Sequence, residues 1–416
     1  MQFGGCRPAM PTYPAHHVRG RIVAISASVG AGHDGATGEL ARRLRTKGFE
    51  VDCHDFMDLL PWRLGRRALR THSGVLRRAP WVYGGLFAIA ERYRITTSIT
   101  RTLLYPVRSR VLGLLADDVH AVVSTYPLAS QVLGPLRQRG LLTIPTITYA
   151  TDFAVHRHWV APGVDAHLAP HQVGAAQAHT LGARDARVAG ALVAPSFHPV
   201  AAAAKRRART HFGLPSGRLA LVVAGSWGVG EIEAAATEIA RTGQAVPVVV
   251  CGKNAMLKRR LVGRGVRHTL GWVDDMPTLM QAVDVLVENA GGLMALEGMA
   301  SGLPVMTYRP IPGHGTKSAA ALAQAGIATW VRDERGLGPA LVELAEGRRG
   351  RRQRGAARSL FDIDAADTVA DLATGGAPAE VDSHFVMVRR LRRRAAFAAS
   401  VAIGLAVAVY RTRRSL

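Results

Sequence analysis

Acid is scarce in this chain. Among 416 residues, 30 Asp and Glu stand against 53 Lys and Arg, leaving a formal net charge of +23 and a sequence pI of about 11.2. That imbalance points to an anionic partner, either nucleic acid or anionic lipid. Cysteine is scarcer still. Cys6, Cys53 and Cys251 are scattered and odd in number, which excludes a disulfide scaffold and a cysteine-built metal site and suits a reducing compartment. Aromatic residues reach only 6%, but hydrophobic residues reach 48%, so a folded core is expected rather than disorder. The first stretch, "MQFGGCRPAMPTYPAHHVRGR", lacks the continuous apolar run of a secretory signal, and the body of the chain is expected in the cytosol.

What charge there is lies in clusters. "PWRLGRRALRTHSGVLRRAPWVYGGLFAIAERYR" contains one acid, Glu91; the others are "EGRRGRRQRGAARS" and "VRRLRRR", the last followed by an apolar run and "RTRRSL". Two of the three interleave arginine with large apolar side chains, which favours an anionic membrane surface over nucleic acid as partner. The apolar run from Ala395 to Tyr410 would be roughly 24 Å long as a helix, short of the ~30 Å hydrocarbon core. A spanning helix, an interfacial or tilted anchor, and a helix packed on the protein all remain open, and the arginines at both ends argue against the last.

The length suggests two domains, and the pattern repeats accordingly. "RGRIVAISAS", "DGATGELARRLRTKG" and "FEVDCHDF" read as strand, helix and strand, a βαβ unit that implies a parallel sheet. "HAVVSTYP" and "PTITYATDF" are further strands, with Ser124, Thr125 and Asp152 at their carboxyl ends, where chemistry collects in open α/β sheets. The pattern restarts after an Ala/Arg-rich stretch, with "LALVVAGSWGVGEIEAAATEIART", "VPVVVCGKN", "RHTLGWV", "AVDVLVENAGGLMALEGMASG" and "LPVMTYRPIPG". The expectation is two doubly wound α/β domains, 19–198 and 218–373, joined by a linker 199–217, with the ligand in the cleft between them. A linker 374–388 and a basic-flanked apolar tail 389–416 follow.

Glycine-rich turns mark the candidate sites. Gly30, Gly32 and Gly35 spell G-x-G-x-x-G, and Asp52 stands where a dinucleotide fold holds its ribose. His33 interrupts that turn and suits proton transfer instead, since imidazole titrates near neutrality. A bland alternative is that His33 only caps the helix start. In "NAGGLMALEGMASGLP", Gly291 and Gly292 allow close backbone approach, and the helix that follows offers free N–H groups to a phosphate. Glu297, one turn in, could hold a ribose diol or simply be solvated. Gly225, Ser226, Gly228 and Gly230 form a second phosphate-friendly turn, or a turn for packing. Asp152, His156 and His158 lie close together without a strong metal-ligand spacing, so an acid/base reading without metal is preferred.

In combination, "SVGAGHDGAT", "VSTYPLASQVL", "TYATDFAVHRHWVAPGVDAHLAP", "VVVCGKN" and "NAGGLMALEGMASGLPVMTYRPIPG" resemble glycosyltransferase family 28, above all its monogalactosyldiacylglycerol synthase and processive diacylglycerol glucosyltransferase group, over roughly 22–371. The resemblance implies a GT-B fold with an acceptor-binding first half and a donor-binding second half. It also implies an inverting displacement without a required metal. His33 and Asp152 would face the reacting centre, with His156 close by. Asn289, Gly291, Gly292 and Leu293 would meet the leaving diphosphate, and Glu297 the donor ribose. Trp272, Val273 and Met276 would border the base, near Gly252 and Asn254. His314, Gly315 and Ser318 stand where plant galactolipid synthases carry a Gln-Glu pair and an Asn, which leaves the donor sugar open; Lys317 is a candidate phosphate contact. By the same resemblance, segment 62–110 would dock on the bilayer through Arg63, Arg66, Arg67 and Arg70 on one helical face and Trp81, Tyr83, Phe87 and Tyr93 beside them.

The expected activity is transfer of a hexose from a UDP-sugar, a substrate rather than a cofactor, to a lipid hydroxyl, with diacylglycerol the leading acceptor, at the cytoplasmic face of the membrane. A polyprenyl-linked or other glycolipid acceptor is the alternative within that class. From other classes, an NAD-dependent oxidoreductase would use Gly30, Gly32, Gly35 and Asp52, and a catalytically silent lipid-binding protein would have no need of His33.

Overall fold

The computed structural model describes residues 19–61, 65, 71, 74–76, 79–115, 118–223 and 229–375. Gly225, Ser226, Gly228, Arg63, Arg66, Arg67, Arg70 and the apolar tail lie outside the described residues. Two six-stranded parallel sheets organise the rest.

The first sheet contains β1 (Gly20–Ser26), β2 (Phe49–Asp55), β3 (Val119–Ser124), β4 (Thr146–Tyr149), β5 (Ala166–Ala169) and β6 (Ala186–Val188), in the order 2-1-3-4-5-6. The second contains β7 (Leu219–Val223), β8 (Val246–Val250), β9 (His268–Leu270), β10 (Val285–Glu288), β11 (Val305–Tyr308) and β12 (Ala328–Val331), in the order 12-11-10-7-8-9. Runs such as "LALVV" are buried at every position, as strands covered by helices on both faces must be. The strand order reverses between β1 and β3 in one sheet and between β7 and β10 in the other. At such points two neighbouring loops diverge and leave a crevice at the carboxyl ends of the strands.

The chain is less linear than two consecutive domains. The helix Ala202–His211, within the expected linker 199–217, joins the second lobe: Lys205 and Arg209 hold Asp284 at 2.6 and 2.8 Å. The last described helix, Ala365–Thr374, straddles the expected boundary at 373 and packs on the other lobe. Its Ala366, Val369 and Ala370 share a core with Ile22, Leu40 and Val123. Arg43 fixes this return by bridging buried Glu39 at 2.6 Å and Asp364 at 3.1 Å.

The helix after β1 runs Ala31–Thr46, starting three residues before the expected Asp34. His33 therefore sits in its first turn rather than in a loop beneath a ligand. Asp52 lies in the middle of β2, where Arg21 Nε donates to its carboxylate at 2.6 Å. It is not at the carboxyl edge and cannot serve a ribose there, so the oxidoreductase reading loses its acid.

Candidate active site between the two sheets

The loop after β1 is tied down by Asp34, which accepts from Ser26 Oγ at 2.7 Å and Ser28 Oγ at 3.0 Å. Thr37 Oγ1 donates to the His33 carbonyl at 2.8 Å and also meets Thr125 Oγ1 at 2.6 Å. The His33 ring is thus carried on a braced turn. Its Nδ1 lies 2.8 Å from the Thr125 carbonyl oxygen and 2.8 Å from Thr151 Oγ1. A carbonyl can only accept, so the proton of neutral His33 resides on Nδ1 and the lone pair on Nε2. Tyr126 meets the ring edge-on at 5.3 Å, and Trp159 tilts against it at 6.1 Å.

Asp152 follows β4. It accepts from Trp159 Nε1 at 3.0 Å and faces His156 Nε2 at 3.5 Å. Burial would raise its pKa, but the hydrogen bond to His156 and the charges of His156, His33 and His314 outweigh that and hold it well below the usual carboxylate range. Asp152 is therefore an anion among imidazoles and a poor proton acceptor. His33 can accept a proton at Nε2, while Asp152 places a negative charge among the rings. His156 Nδ1 is buried with no hydrogen-bond partner among the described residues, and Phe87 stands edge-on to the ring at 5.4 Å.

His158 and Ser124 are engaged elsewhere. His158 turns to Thr100 Oγ1 at 3.2 Å, and burial, with the charge of His156, pushes it down to about 4. Ser124 belongs to a buried hydroxyl chain with Ser130 and Thr148. Among the described residues, no three His, Cys, Asp or Glu side chains converge on a metal position.

The second lobe supplies the opposing wall. Glu288, buried at the end of β10, accepts from the amides of Ala290, at 2.7 Å, and Gly291, and from the Thr307 hydroxyl. That carboxylate shapes the turn and occupies its first amides, leaving Leu293 and Met294 at the open N-terminus of the helix Leu293–Ala300. Gly291 has φ +68°, and a side chain there would strike Ser318, so glycine is required on both counts. Asn289 braces the turn by donating to the Val229 carbonyl at 3.0 Å. Glu297 has no hydrogen bond or ion pair to any described residue, and burial alone pushes its pKa up to about 8. Such a carboxyl, half-buried and without donors among the described residues, suits a ligand that brings its own.

The two walls touch. Leu293 packs so closely over Gly35 that a side chain at Gly35 would collide with it, and it also lies against Gly32. The glycines of the first turn thus let the helix carrying His33 approach the N-terminus of the helix carrying Glu297. His314 closes the cleft from the same lobe, with Nδ1 3.0 Å from the Tyr83 hydroxyl. Burial lowers its pKa, against the pull of Asp152. Lys317 does not stand free for a phosphate; it is ion-paired with Glu91.

Further along the edge, Trp272 is half exposed, with Lys253 Nζ 4.9 Å from its ring centre and its indole N–H donating to Asp274 at 2.8 Å. Val273 and Met276 pack on the second core beneath it. Gly252, at φ +57°, makes the turn after β8, and Asn254 caps the helix Ala255–Gly263 by accepting from the Leu257 amide at 3.0 Å. Sequence reasoning missed Thr151, Trp159 and Glu91 as site residues, and it assigned Tyr83 and Phe87 to the bilayer, whereas Tyr83 meets His314 and Phe87 packs on Gly313. Only Thr151, adjacent to Asp152 at a strand end, carried a local signal.

Solved structures share this fold. HepE from Anabaena, in complex with UDP-glucose, superposes with a TM-score of 0.53 over 86% of this chain and 99% of its own, at 13% identity. UGT89C1 of Arabidopsis thaliana, complexed with UDP, gives 0.55 over 86% and 100% at 11% identity. The fold is GT-B. In sequence, the family described as monogalactosyldiacylglycerol (MGDG) synthase matches residues 33–190. The processive diacylglycerol beta-glucosyltransferase of Bacillus subtilis (strain 168) is 26% identical over 230 residues, 52% of this chain and 59% of that protein. The enzyme of the same name from Bacillus pumilus (strain SAFR-032) is 28% identical over 207 residues, 48% and 53% respectively. The chain thus spans little more than half the length of these curated relatives. Its sequence likeness is to the diacylglycerol glycosyltransferases.

Proposed function

We propose that this GT-B protein is an inverting glycosyltransferase that moves a hexose from a UDP-sugar to a lipid hydroxyl, with diacylglycerol as the leading acceptor. The observation that carries the reading is the contact between Gly35 and Leu293, which sets an imidazole with a free Nε2 beside an uncapped helix N-terminus. Inverting transfer needs those two groups on either side of one carbon. His33 Nε2 takes the acceptor hydroxyl proton as the oxygen attacks the anomeric carbon. The bond to the diphosphate breaks in line, and UDP departs with the electron pair. The Leu293 and Met294 amides and the helix dipole receive the charge. Asp152 stabilises the imidazolium, and Glu297 takes the ribose hydroxyls. Trp272 and the Gly252 turn border the base. This set of roles draws support from the diacylglycerol glucosyltransferase likeness and from the UDP complexes of the structural neighbours.

The proposed place of action is the cytoplasmic face of the membrane. Trp81, Leu86 and Ile89, on the helix Pro80–Arg92, are 75%, 60% and 52% exposed, and Ile95, Leu103 and Tyr105 continue the apolar surface. Arg92, Arg94 and Arg110 are exposed around it. Apolar residues ringed by arginine complement an anionic bilayer. Among the described residues, no helix is long and apolar enough to cross a membrane. A mass-spectrometric screen of UDP-glucose and UDP-galactose against diacylglycerol and polyprenyl phosphate, presented in vesicles, tests the reading. Hexosyl-diacylglycerol is expected; UDP binding without any transfer product would overturn it.

A further inference from the structure

The helix Pro80–Arg92 has two working faces. Tyr83, Gly84, Phe87 and Glu91 recur at helical spacing and all point at the donor lobe. Tyr83 meets His314, Gly84 packs on Pro312, and Phe87 packs on Gly313, whose φ of +88° leaves the turn no side chain. Glu91 pairs with Lys317, on the first turns of the helix His314–Gln324. Trp81, Leu86 and Ile89 lie on the opposite side and are exposed.

Glu91 does more than pair with one lysine. Its side chain is only 14% exposed, and its carboxylate also accepts from the Arg157 amide at 2.8 Å, while Arg157 Nε donates to the Glu91 carbonyl at 3.1 Å. Arg157 directly follows His156. One carboxylate therefore joins three parts: the apolar helix, the loop carrying Asp152 and His156, and the donor-lobe segment carrying His314 and Lys317. Burial raises the Glu91 pKa, but Lys317 and the Arg157 amide lower it further, so the group is an anion in place. It is also the sole acid in its basic segment, so no neighbouring carboxylate from that segment can replace it.

We propose that Glu91 is a positioning residue that couples engagement of a lipid bilayer by the helix Pro80–Arg92 to the donor site, by holding Lys317 and the segment that begins at His314. This rests on the reading that the exposed face of the helix meets lipid and that the second lobe binds UDP. Fixing the helix on a surface fixes Glu91, and Glu91 holds both walls of the cleft in register. Coupling of this kind is reciprocal, so UDP must strengthen vesicle binding by the same factor as vesicles strengthen UDP binding.

Hydrogen exchange on the full chain, with and without vesicles of phosphatidylglycerol and phosphatidylcholine, tests it together with UDP calorimetry. In the wild type, vesicles slow exchange in 80–92 and also in 314–324, and UDP affinity rises about fivefold or more. Glu91→Gln keeps an acceptor for the Arg157 amide but loses the charge; Lys317→Met loses the partner. In either variant 80–92 stays protected, 314–324 returns to its vesicle-free rate, and the gain in UDP affinity disappears. The double variant is no worse than either single one. Protection of 80–92 without 314–324 in the wild type, or retained coupling in both variants, overturns the proposal. Protection of neither segment overturns it together with the bilayer reading. Calorimetry without vesicles judges the donor reading separately.

Discussion

The Nδ1 atom of His33 lies 2.8 Å from the carbonyl oxygen of Thr125, at the switch point of the first sheet. A backbone oxygen does here what a carboxylate does in many His-dependent sites: it fixes the tautomer and points Nε2 outward. His33→Asn tests the base without removing the brace, because an amide N–H can still donate to Thr125 while no lone pair remains at the position of Nε2. The expected outcome is a loss in kcat of about 10²–10⁴, with the Kd for UDP unchanged by calorimetry. Thr151→Val, which removes only the second acceptor at 2.8 Å, should cost several-fold at most. Equal turnover in wild type and His33→Asn would take His33 out of the mechanism.

The parts of this site that were legible in the sequence are those written locally. Glycine after an apolar run, and polar residues at strand ends, mark where an open parallel sheet exposes its crevices; His33, Asp152 and Gly291–Gly292 follow from that rule. The short strands β5, β6 and β12 were not read, because "AHLA" and "ARV" are too brief and too poor in β-branched residues to show a period. The pairings of Thr151, Tyr83 and Glu91 were invisible for another reason. Their partners are His33, His314 and Lys317, at 118, 231 and 226 residues' separation, and only the packed lobes bring them together. The same holds for the Ala365–Thr374 helix, whose alanines suit either lobe and gain their place from Asp364 meeting Arg43.

On the proposed reading, Glu297 makes the donor site dependent on pH. Burial raises its pKa from 4.5 to about 8, so in the ligand-free fold the carboxyl is largely neutral at pH 7. The folded chain then binds more protons than the unfolded one between those values, and folding stability falls as pH rises from 4.5 towards 8. The full swing is on the order of a few kcal/mol, and Glu297→Gln should flatten it in denaturation curves measured across that range. Ligand binding runs the other way. A ribose diol donating to the carboxylate favours its ionised form, so UDP expels a proton near neutral pH and binds more tightly as pH approaches 8. Calorimetry in buffers of differing ionisation enthalpy should detect that proton in the wild type and not in Glu297→Gln. Proton-neutral binding by the wild type would remove Glu297 from the ribose.

Gly291 should be irreplaceable for two separate reasons. Its φ of +68° costs an L-residue roughly 1–2 kcal/mol. A methyl group would also press on the Ser318 side chain, an overpacking that typically adds about 1–3 kcal/mol. Relief by moving Ser318 would disturb the helix His314–Gln324, and relief by moving the turn would break the Glu288 amide contacts. Gly291→Ala should therefore lower the midpoint of denaturation and weaken UDP binding together. Combining it with Ser318→Gly should recover part of the stability by making room, while the backbone term persists. Full recovery in the double variant would mean that the left-handed conformation carries no cost at this position.

The apolar face of the helix Pro80–Arg92 offers the reverse case, a change that should spare the fold and remove function. Trp81, Leu86 and Ile89 are more than half exposed and contribute little to the folded core. Trp81→Ser, Leu86→Ser and Ile89→Ser in one chain should leave the denaturation midpoint within a degree or two, since exposed substitutions away from caps and pairs change stability by about 0.5 kcal/mol or less. Each side chain fully buried in lipid would contribute roughly 1.5–3 kcal/mol, so partial insertion of all three predicts a loss of at least tenfold in vesicle partitioning. Arg92, Arg94 and Arg110 add an electrostatic part of about 1 kcal/mol each near an anionic surface, which 1 M salt should screen and the serine variant should retain. Sedimentation with anionic and neutral vesicles separates the two contributions: the triple variant loses binding to both, and salt weakens only binding to the anionic ones. UDP affinity measured without vesicles should be the same in all of these proteins, because none of the six side chains lies in the donor wall. Undiminished vesicle binding by the serine variant would move the membrane contact away from this helix.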